Sequence, residues 1–339
     1  MITRELFGIT PDGREVEILT VDKGSGIKAQ FITLGAALKR LDVKDGTGKV
    51  RNVVLGHDNL EGYIQNAGFI GNTIGRFAGR IAKAAFTLDG TRYEMDPSGR
   101  DMLHGGRDGY HTKVFSCVTD GDDVIFAYSS PDGESGFPGK LDFKVTYAFT
   151  GDSLAISYEA VTDKPTPVNF TNHSYFNLGG EPDILGHLLT INAPSYAATD
   201  DHLIPTGEIL PVSGTALDFT APKPIGRDIG DEMLAPFRYG YDHTYVLGGT
   251  GFRTAAILAD EASGLSMEIS TDQPALQLYS AGGLREVPGS DGEIYNKSKG
   301  VALETQHIPD APNHPGFPDT ILRPGEVFRS KTVYTFKTL

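Results

Sequence analysis

The sequence predicts an all-β protein: a large antiparallel β-sandwich in one domain spanning 1–339, with few short helices. Three observations predict it. Apolar and polar residues alternate in short runs, the period of a half-buried strand. Glycine, proline and aspartate break those runs, and with 42 glycines and 20 prolines turns recur too often for long helices. No fixed-period repeat, low-complexity tract or interdomain linker divides the chain.

The elements follow in order. "NLEGYIQNA" is a short-helix candidate, with Asp58 or Asn59 available as its cap. "AAFTLDGTRYEM" reads as two strands joined by Asp89-Gly90, because both turn positions tolerate positive φ. "DDVIFAYSS" alternates as a strand. "LDFKVTYAFTGDSLAISYEAVT" reads as a hairpin turning at Thr150 to Ser153, and "GLSMEISTDQPALQLYS" reads the same way. In "VALETQH", Val301, Leu303 and Thr305 alternate on one strand face, which puts Glu304 on the other. The loops "DPSGRDMLHGGRDGYHTK" and "DAPNHPGFPDTILRPGE" are long, but their apolar anchors predict order. Long ordered loops are where function usually sits.

The totals narrow the function. Hydrophobic residues make up 39% and charged residues 22%, which is ordinary for a soluble globular protein. Lysine and arginine total 30 against 44 acids, a formal charge of -14, so a basic footprint for nucleic acid or an anionic membrane is missing. Cys117 is the single cysteine, so no disulfide framework exists within the chain. The start "MITRELFGITPDG" lacks the basic and apolar regions of a signal peptide. No stretch approaches the roughly 18 apolar residues of a membrane helix. A cytoplasmic location is expected.

The common cofactor motifs are missing. None of the 9 histidines has the close His/Cys or His-Glu-x-x-His spacing of a zinc site, and His307 and His314 are separated by a proline-rich turn. "GGTGFRTAA" and "GNTIGRFAGR" lack the strand-loop-helix context of a phosphate cradle, and there is no Gly-x-Ser-x-Gly elbow. No metal or cofactor is expected.

What remains is a set of polar residues in apolar or aromatic settings. Arg80 lies in "FAGRIA". His104 lies in "MLHGG", where two glycines let the backbone approach another group closely. His173 lies in "NFTNHSYFNLGG" beside Tyr175 and Phe176. Asp242 follows two tyrosines in "YGYDHTY", Gln277 lies in "ALQLYS", and Glu304 in "VALETQH". Taken singly, a strand glutamate is usually solvated and a histidine among aromatics is usually a satisfied core residue. Arg80 could equally be an ion pair with Asp242. Together the residue types suit a sugar site, where hydroxyls need donors and acceptors and the apolar sugar face packs on aromatic rings. Histidine plus a carboxylate is the natural acid/base pair for side-chain proton transfer.

Nine ordered segments resemble the aldose 1-epimerase (galactose mutarotase) family. They include "VVLGHDNLEGYI", "AGRIAKAAFTLDG", "LHGG", "PVNFTNHSYFNLGG", "YDHTYVL" and "ALETQHIPDAPNHPGFPDTILRPGE". The resemblance implies a galactose mutarotase-like supersandwich and anomer interconversion of free aldoses without a cofactor. It implies that His173 is the general acid and Glu304 the general base. It implies that Arg80, His104 and Asp242 bind sugar hydroxyls, that Gln277 and Tyr175 line the pocket, and that Tyr175 and Phe176 wall His173. The expected partner is a small monosaccharide, with the chain a monomer or homodimer. Three departures stand out. Gly79 replaces the asparagine that many members carry before the arginine, "DPSGRDM" replaces an asparagine-rich run, and Phe115 stands where many have tryptophan. A sugar-phosphate epimerase, a glycoside hydrolase and a non-catalytic sugar-binding module are the competing readings. The first should show extra basic residues for the phosphate.

Overall fold

Leu141–Thr150 and Ser153–Thr162 pair antiparallel without a register break, from Leu141↔Thr162 to Thr150↔Ser153. Phe143, Val145 and Tyr147 on the first strand, and Leu154, Ile156 and Tyr158 on the second, are buried. Each such side chain contributes roughly 1.5–3 kcal/mol on burial, so the period of two decides which face turns inward. The structure, a computed structural model, describes all of residues 1–339 except Ser25, Pro97, Glu181, Arg238 and Tyr239.

Among the described residues this hairpin lies within a nine-stranded sheet. The C-terminal strand Phe328–Thr338 fills the middle of that sheet, between Ser153–Thr162 and Leu265–Thr271. A six-stranded sheet runs in the order Tyr175–Phe176, Val301–Gln306, Ala275–Tyr279, Asp242–Val246, Ser195–Thr199, Pro205–Pro211. The N-terminal strands, from Ile2–Ile9 to Val50–Asn52, make a five-stranded sheet. One apolar core joins all three. Phe31 and Leu41 come from the N-terminal sheet, Phe126, Tyr147 and Met267 from the nine-stranded sheet, and Phe176, Leu276 and Leu303 from the six-stranded sheet. This is the antiparallel β-sandwich that the alternation predicts.

The local signals hold where they are chemical. Asp89 and Gly90 take φ of 49° and 79° between Ala85–Leu88 and Thr91–Glu94, as the hairpin turn requires. Asn59, not Asp58, caps the Leu60–Gln65 helix, its side chain accepting from the Gly62 N–H at 3.2 Å. "GLSMEISTDQPALQLYS" departs from expectation. Its strands, Leu265–Thr271 and Ala275–Tyr279, do not pair with each other. The first joins the nine-stranded sheet and the second the six-stranded sheet. Asp272, Gln273 and Pro274 carry the chain from one layer to the other. The strand period reports which face is buried, and both layers ask for the same period. No helix among the described residues is long and apolar enough to cross a membrane.

Candidate active site

The floor of the site is one face of the six-stranded sheet. Its register places Thr244 beside Gln277 and Gln277 beside Glu304 in one row, with Asp242, Tyr279 and Ala302 in the next. Residues two apart share a face. Asp242, Thr244, Gln277, Tyr279, Glu304 and Gln306 therefore turn into one cavity of about 400 Å³, a size suited to a small-molecule ligand. The alternate residues Tyr245, Leu276, Leu278 and Leu303 enter the core. Glu304 is only 2% exposed, so it is not a solvated strand residue.

His173 reaches this floor from a crossing segment. Thr171–Asn172 pairs with Thr73–Ile74, and the chain then turns sharply. The Asn172 side chain makes that turn. Its Oδ1 accepts from the Ser174 N–H at 3.1 Å and hydroxyl at 2.6 Å, while its Nδ2 donates to Gly71 O at 3.1 Å. His173 N–H donates to Asn72 O and its carbonyl accepts from Gly71 N–H, each at 2.9 Å. The ring is held so that Nε2 lies 3.6 Å from Glu304 Oε1. The amides of "TNHSYFN" thus brace the backbone: Asn177 Nδ2 likewise donates to Lys299 O at 2.9 Å.

Arg80 and His104 arrive together. Arg80 pairs with Leu103 in a short ladder. His104 N–H donates to Gly79 O at 3.0 Å, and the Gly79 N–H donates back to His104 Nδ1 at 3.2 Å. A Cβ at Gly105 would lie 2.1 Å from Gly75 O, which is the close approach expected of "LHGG". Asp310 then locks Arg80 from the far side. Its N–H donates to Arg80 O at 2.8 Å and its Oδ1 accepts from Ala82 N–H at 3.0 Å.

The walls are aromatic. Phe69 stands 4.8 Å from the His104 ring and 5.9 Å from the His173 ring. Tyr175 packs 5.0 Å from His173, and its hydroxyl donates to Gly68 O at 2.8 Å. Phe176, expected as a second wall, points the other way, into the core against Tyr334 at 5.1 Å. Neighbours on a strand face opposite sides, so Tyr175 and Phe176 cannot both line one cavity.

Burial dominates the electrostatics. It holds the His173 imidazole at about 4, and pushes the Glu304 carboxyl well above the usual carboxylate range, with Asp242 adding to the rise. Asp242 is also raised by burial, opposed by the Arg80 charge and by the hydrogen bond from Gln277 Nε2 at 2.7 Å. His104 is pushed well below its ordinary value by burial and then by His173, Arg80 and His111. The buried pair therefore favours its uncharged arrangement, with the proton on Glu304.

Ligating atoms of His104, His173 and Glu304 lie within 4.8 Å of one another, a proximity that sequence spacing does not reveal. The tautomer opposes a metal there. By accepting the Gly79 N–H, His104 Nδ1 leaves the ring proton on Nε2. Coordination through Nε2 would move that proton to Nδ1 and set two donors face to face.

All seven expected residues thus line one cavity: Arg80, His104, His173, Tyr175, Asp242, Gln277 and Glu304. Phe69, Thr244, Tyr279 and Gln306 line it as well and were not anticipated. Three of these four had a signal in the sequence. Thr244, Tyr279 and Gln306 each lie two residues beyond an expected one on the same strand, hence on the same face.

Fold and site together define a sandwich enzyme class with a buried histidine and carboxyl side by side at the floor of a polar and aromatic pocket. Known proteins agree. The aldose 1-epimerase family model matches residues 17–335. Galactose mutarotase of Homo sapiens is 40% identical over 344 residues, covering 99% of this chain and 98% of its own. Aldose 1-epimerase of Escherichia coli K12 is 39% identical over 341 residues, covering 98% of each. The solved aldose epimerase homologue from C. elegans superposes with a TM-score of 0.88 at 31% identity, covering 94% of this chain and 98% of that one. The chain belongs to the aldose 1-epimerase family.

Proposed function

We propose that the chain is an isomerase interconverting the α and β anomers of free aldoses such as glucose or galactose. The observation that carries the reading is the 3.6 Å approach of His173 Nε2 to Glu304 Oε1 beside a sugar-sized cavity. The pair is a proton donor and acceptor in contact, sheltered from solvent.

In ring opening, Glu304 as carboxylate takes the proton of the anomeric hydroxyl. The C1–O1 bond becomes a carbonyl, the C1–O5 bond breaks, and protonated His173 donates its proton to O5. This leaves a neutral imidazole and a protonated carboxyl, the arrangement burial favours. Rotation about C1–C2 presents the other carbonyl face. Closure reverses the transfers: O5 attacks C1 as its proton passes to His173, and Glu304 returns a proton to O1. The buried site thus favours the proton arrangement that closes the ring. An ionised Glu304 beside His173 favours the imidazolium needed to open it. No redox change or group transfer occurs, so the reaction needs no cofactor.

Arg80, His104 and Asp242 hold ring hydroxyls, with Gln277 and Tyr175 shaping the pocket. Two hydrogen bonds fix the Gln277 amide: Thr244 donates to its Oε1, and its Nε2 donates to Asp242. The test is saturation-exchange NMR or polarimetry on freshly dissolved α-aldoses. Catalysed exchange of at least one aldose is expected. Binding without acceleration would instead mark a sugar-binding module.

A further inference from the structure

The loop "HIPDAPNHP" follows the Glu304 strand and meets the cavity at Pro309. Asp310, the next residue, sits behind Arg80. It is 1% exposed and holds a left-handed φ of 57°, a conformation that aspartate adopts more readily than most residues. Its N–H donates to Arg80 O, and its Oδ1 accepts from Ala82 N–H, so it grips the backbone on both sides of Ile81. The same Oδ1 accepts from Asn313 Nδ2 at 2.6 Å, and Oδ2 lies 3.2 Å from His314 Nε2. Asn313 Nδ2 also donates to Ala85 O at 3.0 Å.

Arg80 has little other support. Its strand, Arg80–Ile81, is 2 residues long and pairs with Met102–Leu103. Lys83 and Ala84 then take positive φ, so the chain leaves the strand at once. Among the described residues no carboxylate lies within salt-bridge distance of the guanidinium, so the backbone decides where it points.

We propose that Asp310 is a positioning residue for sugar binding that acts through Arg80, with His314 completing the clamp. The proposal rests on the aldose reading above, in which Arg80 holds a ring hydroxyl. Guanidinium donors are fixed in one plane, so a small shift of the Arg80 backbone carries them off the hydroxyl together. A purely structural clamp would stabilise the fold without affecting the sugar. The two roles separate in a double-mutant cycle.

The experiment combines Asp310→Ala with Arg80→Met and reads KM and kcat by saturation-exchange NMR, on the aldose that the wild type exchanges fastest. Arg80→Met is expected to raise KM about 10- to 100-fold, the scale of one hydrogen bond to a charged group. Asp310→Ala should raise KM about three- to tenfold with kcat nearly unchanged. On the Arg80→Met background it should raise KM no further, because the group it positions is gone. The melting temperature should fall equally in both backgrounds, which separates the structural effect from the kinetic one. Asp310→Asn keeps an acceptor for Ala82 N–H and tolerates the left-handed backbone, so it should restore most of the lost affinity. If Asp310→Ala fails to fold, His314→Leu takes its place. It removes one of the carboxylate's partners, and its rise in KM, about twofold, should likewise vanish with Arg80→Met.

An equal rise in KM on both backgrounds overturns the proposal, as does a fall in kcat at unchanged KM, or no kinetic change at all. With an active wild type, these outcomes overturn the proposal alone. A wild type that exchanges no aldose overturns the underlying reading, and the proposal with it.

Discussion

His173 Nε2 and Glu304 Oε1 stand 3.6 Å apart, both nearly sealed from solvent, although they come from distant parts of the chain. Nothing local fixes this distance. It depends on the Asn172 turn on one side and on the Val301–Gln306 register on the other.

Glu304→Gln is expected to keep the fold and lower anomer exchange by on the order of 10²–10⁴-fold, the usual worth of a positioned acid or base. Near wild-type polarimetric rates would remove Glu304 from its role. Stability should also respond with a defined sign. The folded carboxyl titrates above its unfolded value, so the wild type holds its advantage at low pH and loses it as pH rises through the folded pKa. The melting-temperature gap should therefore shift in favour of Glu304→Gln as pH rises above about 4.5. A gap that ignores pH would contradict the burial argument.

His173→Asn should abolish exchange similarly, and acid denaturation gives a second readout. His111, His173, His243 and His307 are each held at about 4 by burial. Their folded values lie below the unfolded value of roughly 6.5, so between those limits the unfolded chain binds protons that the native state refuses. Stability should fall as pH drops through this window, each group contributing on the order of 1–3 kcal/mol. Urea melts from pH 7 to pH 4 measure the slope. His173→Asn should make it shallower, and an unchanged slope would argue that His173 stays accessible.

Thr244→Val removes the hydroxyl that donates to Gln277 Oε1. The amide is then free to rotate away from Asp242. The expected result is a KM raised about three- to tenfold with kcat nearly unchanged, the scale of one hydrogen bond. Equal falls in kcat and kcat/KM would place Thr244 in the chemical step instead.

Gly79→Ala tests the support of Arg80. Gly79 has φ of 78°, and a Cβ there would lie 2.6 Å from Pro309 Cγ. The substitution should cost about 1–3 kcal/mol in strain and displacement. It should also raise KM, because Arg80 is the next residue. Unaltered melting and KM would show that the Pro309 loop yields freely.

Much of this was legible in the sequence, for identifiable reasons. Asp89-Gly90 and the Thr150–Ser153 turn encode backbone dihedrals locally, so those hairpins could be read directly. The break after Thr271 could not, because both layers of a sandwich impose the same alternation. Site residues were legible by type but not by meeting place. Arg80, His104 and Asp242 converge through pairings between distant segments. Gln306 escaped notice although it lies two residues beyond Glu304 on the same strand and so shares its face. Phe176 was misassigned although the alternation rule that excludes it was already available.

The two-sided burial of Val301–Gln306 makes the active site all-or-none with respect to frame. Inserting or deleting one residue early in that strand would exchange the two faces. Leu303 would be presented to the sugar and Glu304 driven into oil. No intermediate setting exists, since side chains alternate in whole steps. Length changes can therefore accumulate at exposed tips away from the cavity, such as the Thr150–Ser153 turn. This one strand can vary only by substitution.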